Sequence, residues 1–263
     1  MDMLGMQSPI FIAIYALFIV LILPFLDLFK MLQLKKHTSS LARLAVYRFL
    51  IIMLWSATAI STVLAYPISL FTTPVSNQDF SWLFTNPWAH GLAIFVIGGF
   101  FILTFVTSLR CAFRKDVRLK IAPIFRKMRF ILPVSQNERI CWILISITAG
   151  VCEEMIYRGF LLEFLRGHIV GGLHLDLLIA LFVSSLAFGT GHLYQGLSGI
   201  ITGTIGGLMF GMLAILCGGL VLPIIAHILF DLRILWMYRP GIDTPEDASR
   251  LISGWNDDSL VAT

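Results

Sequence analysis

The chain has 263 residues, of which 58% are hydrophobic and 13% charged, and its mean hydropathy is +0.88. This composition is typical of a membrane protein and excludes an ordinary soluble domain. Fourteen of the 19 Lys and Arg residues fall in residues 30–48 and 110–139. Because both basic segments adjoin apolar stretches, they indicate the cytoplasmic membrane surface and no nucleic-acid partner.

Apolar stretches long enough to cross a bilayer recur along the chain. We predict an all-α, polytopic membrane helical bundle with seven or eight transmembrane helices. The eighth would require a re-entrant second segment or re-entrant residues 121–135. The seven predicted spans are residues 9–29, 47–70, 91–109, 140–166, 173–191, 196–217 and 220–237.

The distribution of charge predicts the orientation of this integral membrane protein. We expect the N-terminus outside and the C-terminus in the cytoplasm, in the cytoplasmic membrane of a bacterium. Residues 72–90 contain no Lys or Arg and predict an outside loop. Basic and apolar residues alternate within 110–139, which indicates an amphipathic helix on the inner leaflet.

Three regions follow from these patterns. Residues 1–139 comprise N-terminal spans and the basic amphipathic segment. Residues 140–240 comprise the spans in which polar side chains occur at membrane depth. Residues 241–263 form a polar, acidic tail, which we expect to be cytoplasmic.

An acidic motif stands inside the fourth predicted span. Glu153, Glu154 and Arg158 interrupt an apolar helix, where each ionisable group costs about 2.5–3.5 kcal/mol at the bilayer centre. Glu154 and Arg158 are four residues apart and therefore share a helix face, on which they can form an ion pair. Glu153 points about 100° away and lacks such a partner. We therefore predict that Glu153 is the free carboxylate, available as a general base.

Further polar residues occupy two later spans. His192 follows Phe188 by four residues, and Asp231 follows His227 by four. Each alone is compatible with a packing role, in which a hydrogen bond satisfies the polar group. Polar groups on three separate helices are least costly when they meet, so we predict one intramembrane polar cavity.

Two chemistries are open to this set. In one, Glu153 deprotonates water, His192 orients the water or carries a proton, and His227 with Asp231 stabilises the oxyanion. In the other, Glu153, His192 and His227 bind zinc, leaving one position open for water. The zincin motif HExxH is absent from the sequence. The cofactor is thus either none or zinc.

The three motifs resemble those of the CPBP family, the CAAX proteases and bacteriocin-processing enzymes, also called the Abi family. The family patterns EExxxR, FxxxH and HxxxN or HxxxD correspond to Glu153–Arg158, Phe188–His192 and His227–Asp231. The arginine is followed by Gly159, as is usual in the family. The resemblance covers roughly residues 140–235.

This resemblance implies an intramembrane endopeptidase with a cavity open to the cytosol. Its substrate would be a membrane-associated protein or peptide, cleaved near the cytoplasmic face. Glu153 would activate water, His192 and His227 would be catalytic, and Glu154 and Arg158 would be largely structural. Prenyl-protein members usually have Asn where this chain has Asp231. Asp231 is accordingly either protonated, or orients His227, or helps hold a metal.

Two other functions use the same residues. A non-catalytic member of the family would bind and regulate a partner membrane protein, and a proton-coupled transporter would use the polar groups as a relay. Glycines also recur every four residues in the sixth predicted span, at Gly199, Gly203, Gly207 and Gly211. Such a stripe permits close helix packing, either within the chain or across a homodimer.

Overall fold

The structure, a computed structural model, describes residues 9–64, 85–126, 128–167 and 177–240. It consists of eight helices, and no strand occurs in these ranges. The helices are α1 (Ile10–Lys36), α2 (Ser40–Leu64), α3 (Pro87–Phe113), α4 (Lys115–Arg126), α5 (Gln136–Arg166), α6 (Leu177–Thr190), α7 (Leu197–Cys217) and α8 (Val221–Leu232).

The predicted all-α polytopic bundle is confirmed. Five helices, α1, α2, α3, α5 and α7, are long and apolar enough to cross a membrane. The described part of α6 has 14 residues and α8 has 12. At 1.5 Å per residue they measure about 21 and 18 Å, less than the ~30 Å hydrocarbon core. Most of the predicted outside loop, the end of the second predicted span and the predicted tail lie outside the described residues.

Helix α5 is the centre of the bundle and packs against both α2 and α8. Its 31 residues would extend about 46 Å. Cys152, Ile156 and Phe160 form a buried apolar face. Immediately after the acidic pair, Met155–Leu161 adopts a π-helical turn. Such turns are frequent at functional sites, because widening the helix re-aims its side chains.

The basic segments meet at one end of the bundle. The start of α5 is fixed by a capping box, in which Ser135 and Glu138 bond each other's backbone N–H groups. Glu138 is fully buried, and its Oε1 lies 3.1 Å from Nε of Arg43 at the start of α2. One turn further along α2, the Tyr47 hydroxyl donates a hydrogen bond to the carbonyl of Ile131. These contacts fix α2 beside the start of α5.

The glycine stripe of α7 is buried against α6 of the same chain. A Cβ atom at Gly203 would lie 3.0 Å from Cα of Gly189, and one at Gly207 would lie 3.0 Å from Cα of Ser185. The two helices therefore approach each other at a distance that only glycine permits. The prediction of close packing within the chain is confirmed. Since α6 covers the stripe, these glycines do not offer the predicted surface for a homodimer.

Gly189, on the α6 side of this contact, is expected to tolerate no side chain. Its Cβ would lie 2.2 Å from Oγ1 of Thr204 and 2.7 Å from the backbone oxygen of Ile200. We expect Gly189→Ala to lower the free energy of unfolding by about 1–3 kcal/mol through overpacking. Thermal unfolding in detergent would measure this change. The control is Gly98→Ala on α3, where a Cβ meets nothing within 4 Å. Equal melting temperatures for the two variants would contradict the prediction.

Candidate active site

The acidic motif forms the predicted ion pair. Arg158 Nη1 donates to Glu154 Oε1 at 2.9 Å, and both side chains are almost completely buried. Because an isolated buried charge is very costly, each side chain depends on the other. Glu154 is the last residue of the α-helical part, and Arg158 lies inside the π-helical turn that follows. The two side chains nevertheless meet across four residues.

Arg158 also contacts two other helices. Its Nη2 donates to the backbone oxygen of Gly207 on α7 at 2.9 Å. The guanidinium carbon lies 4.7 Å from the ring centroid of Phe188 on α6, within the range of a cation–π contact. Arg158 thus joins α5 to the α6–α7 pair.

His227 completes this network from α8. Its Nδ1 lies 2.8 Å from the same Glu154 oxygen that accepts from Arg158. The carboxylate can only accept, so Nδ1 carries the proton and donates. The imidazole also stacks on Phe210, with ring centroids 4.6 Å apart and planes 16° from parallel. Ring position and tautomer are therefore fixed by Glu154 and Phe210 together, and Nε2 is turned away from Glu154.

The Nε2 atom of His227 faces two further carboxylates. Glu153 Oε2 lies 3.7 Å away, and Asp231 Oδ2 lies 3.9 Å away. Both distances exceed a hydrogen bond but allow a strong electrostatic interaction. The side chains of Glu153 and Asp231 are 22% and 32% exposed, whereas that of Glu154 is fully buried. Of the two adjacent glutamates, Glu153 is therefore the one available to water and ligands.

His192 lies in the turn two residues beyond the end of α6 and lines the same cavity. Its Nδ1 lies 3.3 Å from the backbone oxygen of Phe188. A carbonyl oxygen can only accept, so Nδ1 donates and the neutral ring offers Nε2 as an acceptor. The Phe188 ring lies 5.2 Å from the His192 ring and 5.8 Å from the His227 ring. The Phe188 ring therefore contacts the guanidinium group of Arg158 and the imidazole rings of His192 and His227.

A cavity of about 300 Å³ connects these residues. Its polar lining includes four of the predicted site residues, namely Glu153, His192, His227 and Asp231, with Phe188 in its apolar wall. Glu154 and Arg158 lie behind this lining and support His227. The structure thus brings all seven predicted site residues into one cluster around an intramembrane polar cavity.

Sequence reasoning overlooked Asp27 and underestimated Glu154. Asp27 lies on α1, far from the three motifs along the chain, yet it lines the cavity with Glu153. It is the single acidic residue in Ile10–Lys36, and that isolation was the signal that could have revealed it. The sequence predicts only Arg158 as a partner of Glu154. The contact of Glu154 with His227 joins residues 73 positions apart, which helix spacing does not predict.

The geometry of the cavity bears on the prediction that zinc could be bound there. Glu153, His192 and His227 all line the cavity. However, no group of three or more His, Cys, Asp or Glu side chains in the described ranges is arranged to hold a metal ion. His227 directs one nitrogen to Glu154 at 2.8 Å, and its other nitrogen stays 3.7 Å from Glu153. The donor set present therefore does not fit a zinc site.

Together, the helices and the buried polar cluster define an integral membrane protein with a polar cavity inside its helical bundle. Residues 135–233 match the family model described as Type II CAAX prenyl endopeptidase Rce1-like. The match begins at the capping residue of α5 and ends just after α8, and so contains all three motifs. It confirms the resemblance predicted from them, and it places a protease-family domain in this segment. No curated protein sequence and no solved structure gives a significant match to the chain.

Proposed function

We propose that this protein is an intramembrane endopeptidase that hydrolyses a peptide bond of a membrane-associated protein or peptide near the cytoplasmic face. The observation that carries the proposal is that two adjacent glutamates have different environments and different contacts with His227. Glu154 is buried and fixes His227, while Glu153 is partly exposed in the cavity beside the other nitrogen of that histidine. A base and a positioned imidazole are the parts required for water-mediated acyl transfer.

In the proposed reaction, Glu153 takes a proton from a water molecule held in the cavity. The resulting hydroxide attacks the carbonyl carbon of the scissile peptide bond. His192 accepts a hydrogen bond from that water at Nε2, because its Nδ1 is committed to Phe188. Collapse of the tetrahedral intermediate breaks the carbon–nitrogen bond, and the proton on Glu153 passes to the leaving amine.

His227 stabilises the oxyanion in this scheme. Since its Nδ1 donates to Glu154, Nε2 can donate only when the ring is an imidazolium. Glu154 and Asp231 stabilise that charged form, as the buried carboxylate does in a Ser-His-Asp triad. In this scheme Asp231 is a positioning residue for His227. The imidazolium charge, which Asp231 helps to stabilise, allows an acidic residue to lie close to the oxyanion.

The proposal includes an orientation of the helical bundle in the membrane. Basic residues collect where α1 ends and where α2, α4 and α5 begin, and the positive-inside rule assigns this end to the cytoplasm. The N-terminus would then lie outside. A substrate would reach the cavity from the cytoplasmic side, past Tyr194 and Gln195, which line both the cavity and a neighbouring groove with Lys35 and Arg129.

Substitution of His192 tests the scheme. We expect His192→Ala to lower kcat/KM for a membrane reporter peptide by about 10²–10⁴-fold, because the water loses its acceptor. Cleavage would be followed with purified protein in liposomes. His37→Ala is the matched control, since His37 lies at the exposed end of α1. The hydrogen bond of His37 to Gln33 uses its backbone N–H, which the substitution retains. Undiminished cleavage by His192→Ala would refute this role.

A further inference from the structure

Asp27 lies in the cavity wall although it belongs to α1, outside the segment that matches the protease family. Leu23 and Met31 stand four residues before and after it and line the same cavity. Residues four apart share one helix face, so the face that α1 presents to the cavity carries one carboxylate between two apolar side chains.

The Asp27 carboxylate forms no hydrogen bond or ion pair with the residues that the structure describes. Lys30, three residues along α1, places its Nζ over the ring of Phe49 at 5.1 Å. An ionisable group at membrane depth is costly and is retained where it serves a function. Among the described residues, Asp27 has no hydrogen bond or ion pair with Glu154, Arg158 or His227, so it does not support that network directly.

The charges around the cavity indicate what could pair with Asp27. Three carboxylates line it, on Asp27, Glu153 and Asp231, but Arg233 is the single Lys or Arg among its described lining residues. Arg233 lies over the ring of Phe230, next to Asp231 in sequence. Carboxyl groups therefore outnumber Lys and Arg side chains in the described lining, and a cationic ligand group would complement them.

We propose that Asp27 is a specificity-determining residue that binds a Lys or Arg side chain of the substrate inside the cavity. The apolar residues around it, Leu23, Met31, Leu50 and Leu54, would contact the methylene stem, while the charged end pairs with the carboxylate. This inference rests on the proposed peptidase function for the identity of the ligand as a peptide.

The test uses fluorescent apolar peptides that carry one Lys, norleucine or Glu at successive positions. Their affinity for full-length Glu153→Gln protein in nanodiscs is measured, so that binding is observed whether or not the protein cleaves peptides. At the best position we expect Lys to bind about 10–100-fold more tightly than norleucine, as for a charge-assisted hydrogen bond, and Glu to bind more weakly still. Adding Asp27→Asn should abolish this preference.

The matched control adds Asp116→Asn, the same chemical change on the exposed part of α4, where Asp116 pairs with Arg114. It should retain the preference for Lys. The inference is overturned if Lys and norleucine peptides bind equally at every position, or if Asp27→Asn retains the preference. Cleavage of the same peptides by the protein with Glu153 intact is scored separately. Binding that depends on Asp27 without any cleavage would refute the peptidase and leave the cation site supported.

Discussion

Replacing Glu153 with Gln is expected to reduce peptide cleavage by at least about 10³-fold while the protein remains folded. The amide retains the size of the side chain but cannot accept a proton from water, which removes the general base. Glu153 is partly exposed in the cavity, and its Oε2 lies 3.7 Å from His227 Nε2, beyond hydrogen-bond distance. Its replacement therefore breaks no hydrogen bond among the described residues. kcat and KM should be measured in liposomes, and we expect the loss to appear mainly in kcat.

The matched control is Glu163→Gln, the same substitution on the same helix but outside the cavity. Glu163 lies 3.5 Å from Arg166 in a separate ion pair. It should keep nearly the full rate. If the two variants cleaved equally well, Glu153 would not be the base, and the non-catalytic adaptor would become the better explanation of the site.

Replacing Arg158 with Met is expected to cause the largest loss of stability of any single substitution considered. The change keeps an apolar stem but leaves the Glu154 carboxylate buried with His227 as its remaining partner. It also removes the hydrogen bond to Gly207 on α7. Breaking a buried ion pair from one side costs about 3–5 kcal/mol. Unfolding followed by circular dichroism in mixed detergent micelles would measure the loss.

Two comparisons isolate the cause of this loss. Arg166→Met removes the arginine of a separate ion pair, with side chains 15% and 19% exposed, and should cost less stability than Arg158→Met because water still reaches both groups. The double variant Glu154→Gln with Arg158→Met removes the uncompensated charge and should recover part of the stability. Additive losses in the double variant would show that the ion pair is not the source of the effect.

Features set by local spacing were predictable from the sequence. The Glu154–Arg158 pair required only the four-residue period of a helix, and the fold class required only long apolar stretches. The burial of Gly203 against α6 followed from the small-residue stripe, although the stripe also left a homodimer open. Each of these predictions rests on a pattern that is visible within one stretch of the sequence.

Features set by tertiary packing were not predictable. The bond between His227 and Glu154 depends on how α8 crosses α5, and no spacing encodes that crossing. The place of Asp27 in the cavity depends on α1 packing beside α2 and α6. Helices α6 and α8 also end before the apolar stretches that predicted them, because hydropathy does not distinguish the turns at Gly191 and Arg233 from the helices they follow.

Cleavage in water enriched in ¹⁸O tests the central claim most directly. Purified protein in liposomes would be incubated with a library of membrane peptides, and the products analysed by mass spectrometry. The account predicts paired fragments, with one ¹⁸O atom in the new terminal carboxyl group, and no fragments from Glu153→Gln. Identical labelled fragments from wild type and Glu153→Gln, or no fragments from either, would contradict it.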